Sequence, residues 1–183
     1  MTRPERLDRG TLAGDAGFTL IELLVVVGVI GVIGAIAIPS LMRARINADE
    51  ASAIGTLRAV NSAQSSYVAT AGSGGYAVLL ATLATPCPST TQAFLGPDLA
   101  VDPSVKSGYQ IALAAASGSV AGVLDCNATP TRTGYYSTAV PLDAGVSGHR
   151  AFASNAEGTI FVDVGGVPPT EAAIAAHTVT TLQ

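Results

Sequence analysis

The stretch Gly17–Leu41, GFTLIELLVVVGVIGVIGAIAIPSL, decides how the rest of the chain is read. From Phe18 to Ile38 it has 21 residues, of which only Glu22 is charged. Coiled as a helix, this run covers about 30 Å, the thickness of bilayer hydrocarbon. Val and Ile are mediocre helix formers in water, but in lipid the backbone must satisfy its own hydrogen bonds, which forces a helix. Gly28, Gly31 and Gly34 offer small surfaces for close helix approach, and Gly31 with Ala35 makes a small-xxx-small pair. A carboxylate at Glu22 costs ~2.5–3.5 kcal/mol in such a segment and needs compensation.

Three readings compete. An ordinary single-span anchor gains nothing from Glu22. A cleaved secretory signal would use Ala35-Ile36-Ala37 as its small-residue site. Against it, the apolar run is long for a signal core and Glu22 interrupts it. The preceding residues also balance three Arg against three acids, Glu5, Asp8 and Asp15. The third reading takes residues 1–17 as a short leader.

On the residues Gly17, Phe18, Thr19, Leu20, Ile21 and Glu22, followed by the long apolar run, the sequence closely resembles the class III signal of type IV pilins and type II secretion pseudopilins. The resemblance implies that a prepilin peptidase cuts between Gly17 and Phe18 and methylates the new Phe18 amino group. It implies assembly and register roles for Glu22 and Thr19, with Glu22 of an incoming subunit pairing the Phe18 amine of a neighbour. Gly31 and Pro39 fall where many family members carry a helix-bending Gly and Pro. Family leaders usually place Lys or Arg directly before the Gly and are net basic. Here Asp15-Ala16 precede it and the leader is neutral.

Beyond Pro39 the helical pattern continues. Ile46, Ala53, Leu57, Val60 and Tyr67 form one amphipathic face. Arg45 and Asp49 stand at i,i+4 on the polar side. Arg43 and Arg45 are expected to snorkel to lipid head groups. Gly72, Gly74 and Gly75 end the helix. Residues 18–41 are thus expected to be the transmembrane and filament-core part of one helix, and 42–71 its amphipathic continuation.

Residues 72–107, with Pro86, Pro88, Pro97 and Pro103, read as an irregular connecting loop. Four glycine-led segments follow within 108–167: GYQIALAA from Gly108, GYYSTAVP from Gly134, GHRAFAS from Gly148 and GTIFVDV from Gly158. The stretch Ser154–Gly158, SNAEG, reads as a hairpin turn. SGSVAGVLDCNATPTRT is expected as a loop or a weak fifth strand. The tail 168–183 reads as a brief helix capped by Thr170, or as loose chain. The expected fold is α+β. A long amino-terminal helix, transmembrane in its first half, packs its second half on a carboxy-terminal antiparallel sheet, as the pilin resemblance also implies.

Cys87 and Cys126 lie well past the apolar run. If that region is extracytoplasmic, pairing is the natural reading, with two unpaired thiols the alternative. No CxxC occurs, and two Cys with the distant His149 and His177 make a poor metal set. Asp98, Asp102, Asp125, Asp143, Glu157 and Asp163 are scattered, with no EF-hand run. Asn127-Ala128-Thr129 is formally a glycosylation sequon. No metal, cofactor or catalytic constellation is expected. With one Lys, a net charge of −4 and no basic stripe, no specific nucleic-acid site is expected either.

The resemblance therefore points to a structural subunit rather than an enzyme. It implies a single-span inner-membrane precursor with its head outside the cytoplasm. Its partners would be prepilin peptidase, other copies or pilin co-subunits, and an inner-membrane platform with an assembly ATPase. A surface filament for adhesion, motility or DNA uptake is the first expectation. The alternative is a periplasmic pseudopilus for protein export, and an anchored enzyme that borrowed the signal is a third.

Overall fold

The computed structural model describes residues 17–182. The leader expected over 1–17 lies outside the described residues except for Gly17. The chain divides into two compact units at Ser40/Leu41.

Helix α1 runs Leu20–Thr70, 51 residues with Pro39 inside it. In the first unit every residue from Gly17 to Ser40 is exposed except the half-buried Gly34. Pro39 has no N–H to give the carbonyl of Ala35, so the ladder loses one bond there. The helix is long and apolar enough to cross a membrane.

In the second unit, α1 from Leu41 on packs against a six-stranded, wholly antiparallel sheet. Its strands are β1 (Ser104–Lys106), β2 (Tyr109–Ala115), β5 (Tyr135–Pro141), β6 (Ala151–Asn155), β7 (Ile160–Asp163) and β8 (Thr180–Leu182), in spatial order β1-β2-β5-β6-β7-β8. Between β2 and β5 the chain makes a separate ribbon, β3 (Ala121–Leu124) with β4 (Pro130–Arg132). Burial along β5 alternates strictly, as a sheet with one face on a core requires. Ala53, Leu57, Val60 and Tyr67 of α1 meet Tyr109, Ile111, Tyr135 and Phe152 of the sheet in the main core. The alternate residues Ala153 and Phe161 point the other way and pack on Ile174 of α3 (Glu171–Ala175). That short helix begins at Thr170, whose side chain accepts from Ala173 N.

The four glycine-led segments are β2, β5, β6 and β7, and a turn closed by Gly158 N on Asn155 O joins the last two. Three expectations need correction. The region 72–107 is not only loop: it holds α2 (Leu80–Ala84), a 3-10 turn (Pro97–Leu99) and β1. The start of α2 is held by Asp102, whose Oδ2 accepts Leu80 N at 2.9 Å from 22 residues away, a partnership no local pattern reveals. The sheet is also wider than 108–167. The tail adds β8, a three-residue edge strand that is visible only through its partner β7. Finally, β6 starts at Ala151, because His149 N and Arg150 N are bound to Glu50 instead of a neighbouring strand.

Candidate functional site at the amino-terminal signal

Gly17, Phe18 and Thr19 are not helical, and α1 begins directly after them. Thr19 and Glu22 close a reciprocal box. Glu22 N donates to Thr19 Oγ1 at 3.2 Å, while Thr19 Oγ1 and Thr19 N donate to Glu22 Oε2 at 3.3 and 3.5 Å. This is the Thr-x-x-Glu capping box, which gives partners to amides that a helix start otherwise leaves unbonded. The carboxylate is thereby folded back toward Phe18. Sequence reasoning put Thr19 and Glu22 together for assembly; the structure adds that they hydrogen-bond within one chain. Gly31 and Pro39 both lie inside the continuous helix. A Cβ added at Gly28, Gly31 or Gly34 would meet nothing within 4 Å, so no contact inside the chain asks for glycine there.

At the far end of α1 the structure joins Cys87 to Cys126 as a disulfide, with Cα atoms 5.6 Å apart. The knot is reinforced beside it. Tyr67 Oη donates to Asp125 Oδ2 at 2.7 Å, Asp125 Oδ1 accepts Asn127 N and Thr129 N, and Cys126 N donates to Ala71 O. Burial, and then the adjoining Asp125 carboxylate, push the Tyr67 hydroxyl above the usual phenol range. Asn127 of the sequon is half-buried, and its side-chain amide donates to Pro86 O at 3.3 Å.

The residue that sequence reasoning missed is Glu50, only 4% exposed. Its Oε1 accepts His149 N at 2.9 Å and Arg150 N at 3.1 Å, and its Oε2 meets Arg150 Nε at 2.7 Å and Nη2 at 2.6 Å. Burial alone would raise this carboxyl. The two backbone N–H groups and the guanidinium outweigh burial and hold it below the usual carboxylate range. An acid at the i+4 position from the buried Ile46 was the only available signal. His149 and Arg150, expected in a strand, form the loop that Glu50 holds.

A cleft of about 560 Å³ between α3 and the sheet is lined by Tyr135, Glu157, Glu171 and His177, among others. Two of these side chains have structural partners: both Glu171 oxygens accept Ser117 N, and Tyr135 Oη donates to Asn61 Oδ1. Among the described residues no group of three or more His, Cys, Asp or Glu could hold a metal ion.

The prokaryotic N-terminal methylation motif, as a family signature, matches residues 12–38. The chain thus carries the class III prepilin-type signal of type IV pilins and pseudopilins, on an α+β fold consistent with a pilin. A signal of this type implies a substrate for prepilin peptidase, and with the apolar helix it suits a membrane-anchored precursor. No curated protein matches the chain, and no solved structure does.

Proposed function

We propose that the chain is the precursor of a type IV pilin, cut between Gly17 and Phe18, methylated on Phe18, and assembled through its apolar helix into a surface filament. The observation that carries this is the signal itself, together with a helix whose apolar side chains are uncovered from Leu20 through Met42. A surface of that extent is stable only in lipid or against other copies. The precursor pool uses the first and the filament core the second, and extraction exchanges lipid contacts for helix–helix contacts. The open glycines along the helix suit the second role. Glu22 then neutralises the Phe18 ammonium of a neighbour, because an unpaired charge among apolar helices is costly.

The test is electron microscopy of sheared surface filaments, with mass spectrometry of the subunit's amino terminus. Long filaments built of chains starting at methyl-Phe18 are expected. Processed chains confined to the periplasm would instead identify a pseudopilus for protein export, and an unprocessed terminus would refute both. The Glu22→Ala chain is expected to be inserted and cleaved yet to yield few filaments. A normal filament yield would refute the register role.

A further inference from the structure

We propose that the end of the second unit around Met42 lies in the phospholipid headgroup layer while the chain is in its membrane pool, an inference that rests on the anchored reading above. Leu41, Met42, Leu142 and Val146 are each more than half exposed. Met42, Arg45 and Val146 line one groove of about 310 Å³ with Ser107 and Ser147, and Leu142 N is bound to Gly108 O at the same edge. These apolar residues come from α1 and from the β5–β6 loop, far apart in sequence, so no helical periodicity accounts for the patch.

Chain connectivity names the occupant. Met42 follows Ile38 by four residues, about 6 Å of helix. The headgroup layer on each side of a bilayer is about 5–7 Å deep. If the apolar run ends at the hydrocarbon edge, Met42 sits within that layer, and its groove partners Val146 and Leu142 are carried with it. Arg43 and Arg45 reach the phosphates by snorkelling. Asp49 lines the same groove and Asp143 lies in the adjoining loop, so the charges balance two against two. The surface therefore fits a zwitterionic bilayer through apolar contact and does not depend on anionic lipid.

The sequence contains no Trp, so one introduced Trp is a clean depth probe. The full chain is placed in phosphatidylcholine vesicles brominated on the upper acyl chain, with Val146→Trp, Leu142→Trp or Val123→Trp. Val123 is exposed on the β3–β4 ribbon, which joins the far end of α1, about 40 Å along the helix from Met42. Trp at 146 and at 142 is expected to shift to the blue and lose roughly half its emission, while Trp at 123 stays bright. Vesicle flotation separates the two ideas. Chains that float with 146 and 142 no more quenched than 123 overturn this inference alone. Chains that do not float overturn the anchored reading together with it.

Discussion

Replacing Glu50 with Gln keeps the shape of the side chain and removes its charge, so it isolates what the buried carboxylate does. Three N–H groups converge on it: two from the backbone of His149 and Arg150, and Nε of Arg150, with Nη2 completing the ion pair. Hydrogen bonds to a charged partner are worth about 1.5–3 kcal/mol, against about 0.5–1.5 for neutral pairs. Neutralising the acceptor thus loses about 1 kcal/mol for each of the three, ~3 kcal/mol in all. The amide also turns an NH2 group toward a guanidinium or toward backbone N–H. The total stays at the lower end of the ~3–5 kcal/mol for breaking a buried pair, because Arg150 is 39% exposed and can turn to water.

For a domain of this size ~3 kcal/mol lowers the midpoint of thermal unfolding by about 6–12 °C. The measurement is circular dichroism melting of the full chain in detergent. The pH dependence follows from the sign of the shift. The Glu50 carboxyl titrates lower in the folded chain than in the unfolded one, so the unfolded chain binds the extra proton and stability rises with pH. The stabilisation is complete above the unfolded value of about 4.3 and fades as pH falls through the lower folded value. The gap in midpoint between the natural chain and Glu50→Gln should be flat from neutral pH to about 5 and close in stronger acid. A gap under about 2 °C at neutral pH, or one that widens on acidification, would refute the clamp.

Reduction, or the paired change Cys87→Ser with Cys126→Ser, opens a loop spanning 39 residues and should cost about 4 kcal/mol in the chain-entropy account; urea unfolding with and without reductant measures it. Gly72→Ala should destabilise by about 1–3 kcal/mol, because its Cβ would run into Gly75 O and the Tyr67 ring. A melting midpoint within a degree of the natural chain would show that the turn relaxes freely. Lys106→Ala should barely move the midpoint, since the 2.6 Å pair with Asp98 is exposed on both sides and such pairs contribute about 0–1 kcal/mol.

What was legible in the sequence depended on the range of the interaction that makes each element. The α1 face of Ile46, Ala53, Leu57, Val60 and Tyr67 could be read because periodicity is local, and all five are buried. β2, β5, β6 and β7 could be read from their length and their leading glycines. β1 and β8, three residues each, exist only through pairing with a neighbour, and α2 is held in place from Asp102. Glu50 was illegible for the same reason. Its partners are about 100 residues away, and a Glu in an amphipathic helix reads as solvated unless the loop that covers it is known. The methylation motif matched over residues 12–38 is the opposite case, because it is recognised from residues adjacent in sequence.

Glu22 connects these levels. In the uncut chain its carboxylate takes hydrogen bonds from Thr19 N and Thr19 Oγ1, which are neutral donors. They give the oxygens partners and help start the helix, but they leave a full negative charge at the edge of an apolar run. Cutting before Phe18 would create the missing positive charge, and in the proposed filament the amine that meets Glu22 is that of a neighbour's Phe18. On the proposed function, then, one residue serves twice. It is a helix cap in the precursor, and once the amine is free it is half of an ion pair that apolar surroundings strengthen. Thr19→Ala separates the two roles. It removes the hydroxyl that fixes the carboxylate but leaves the charge, so filaments should still form, with a helix start destabilised by about 1 kcal/mol. Loss of filaments as complete as in Glu22→Ala would mean that the placement of the carboxylate, and not its charge alone, sets the register.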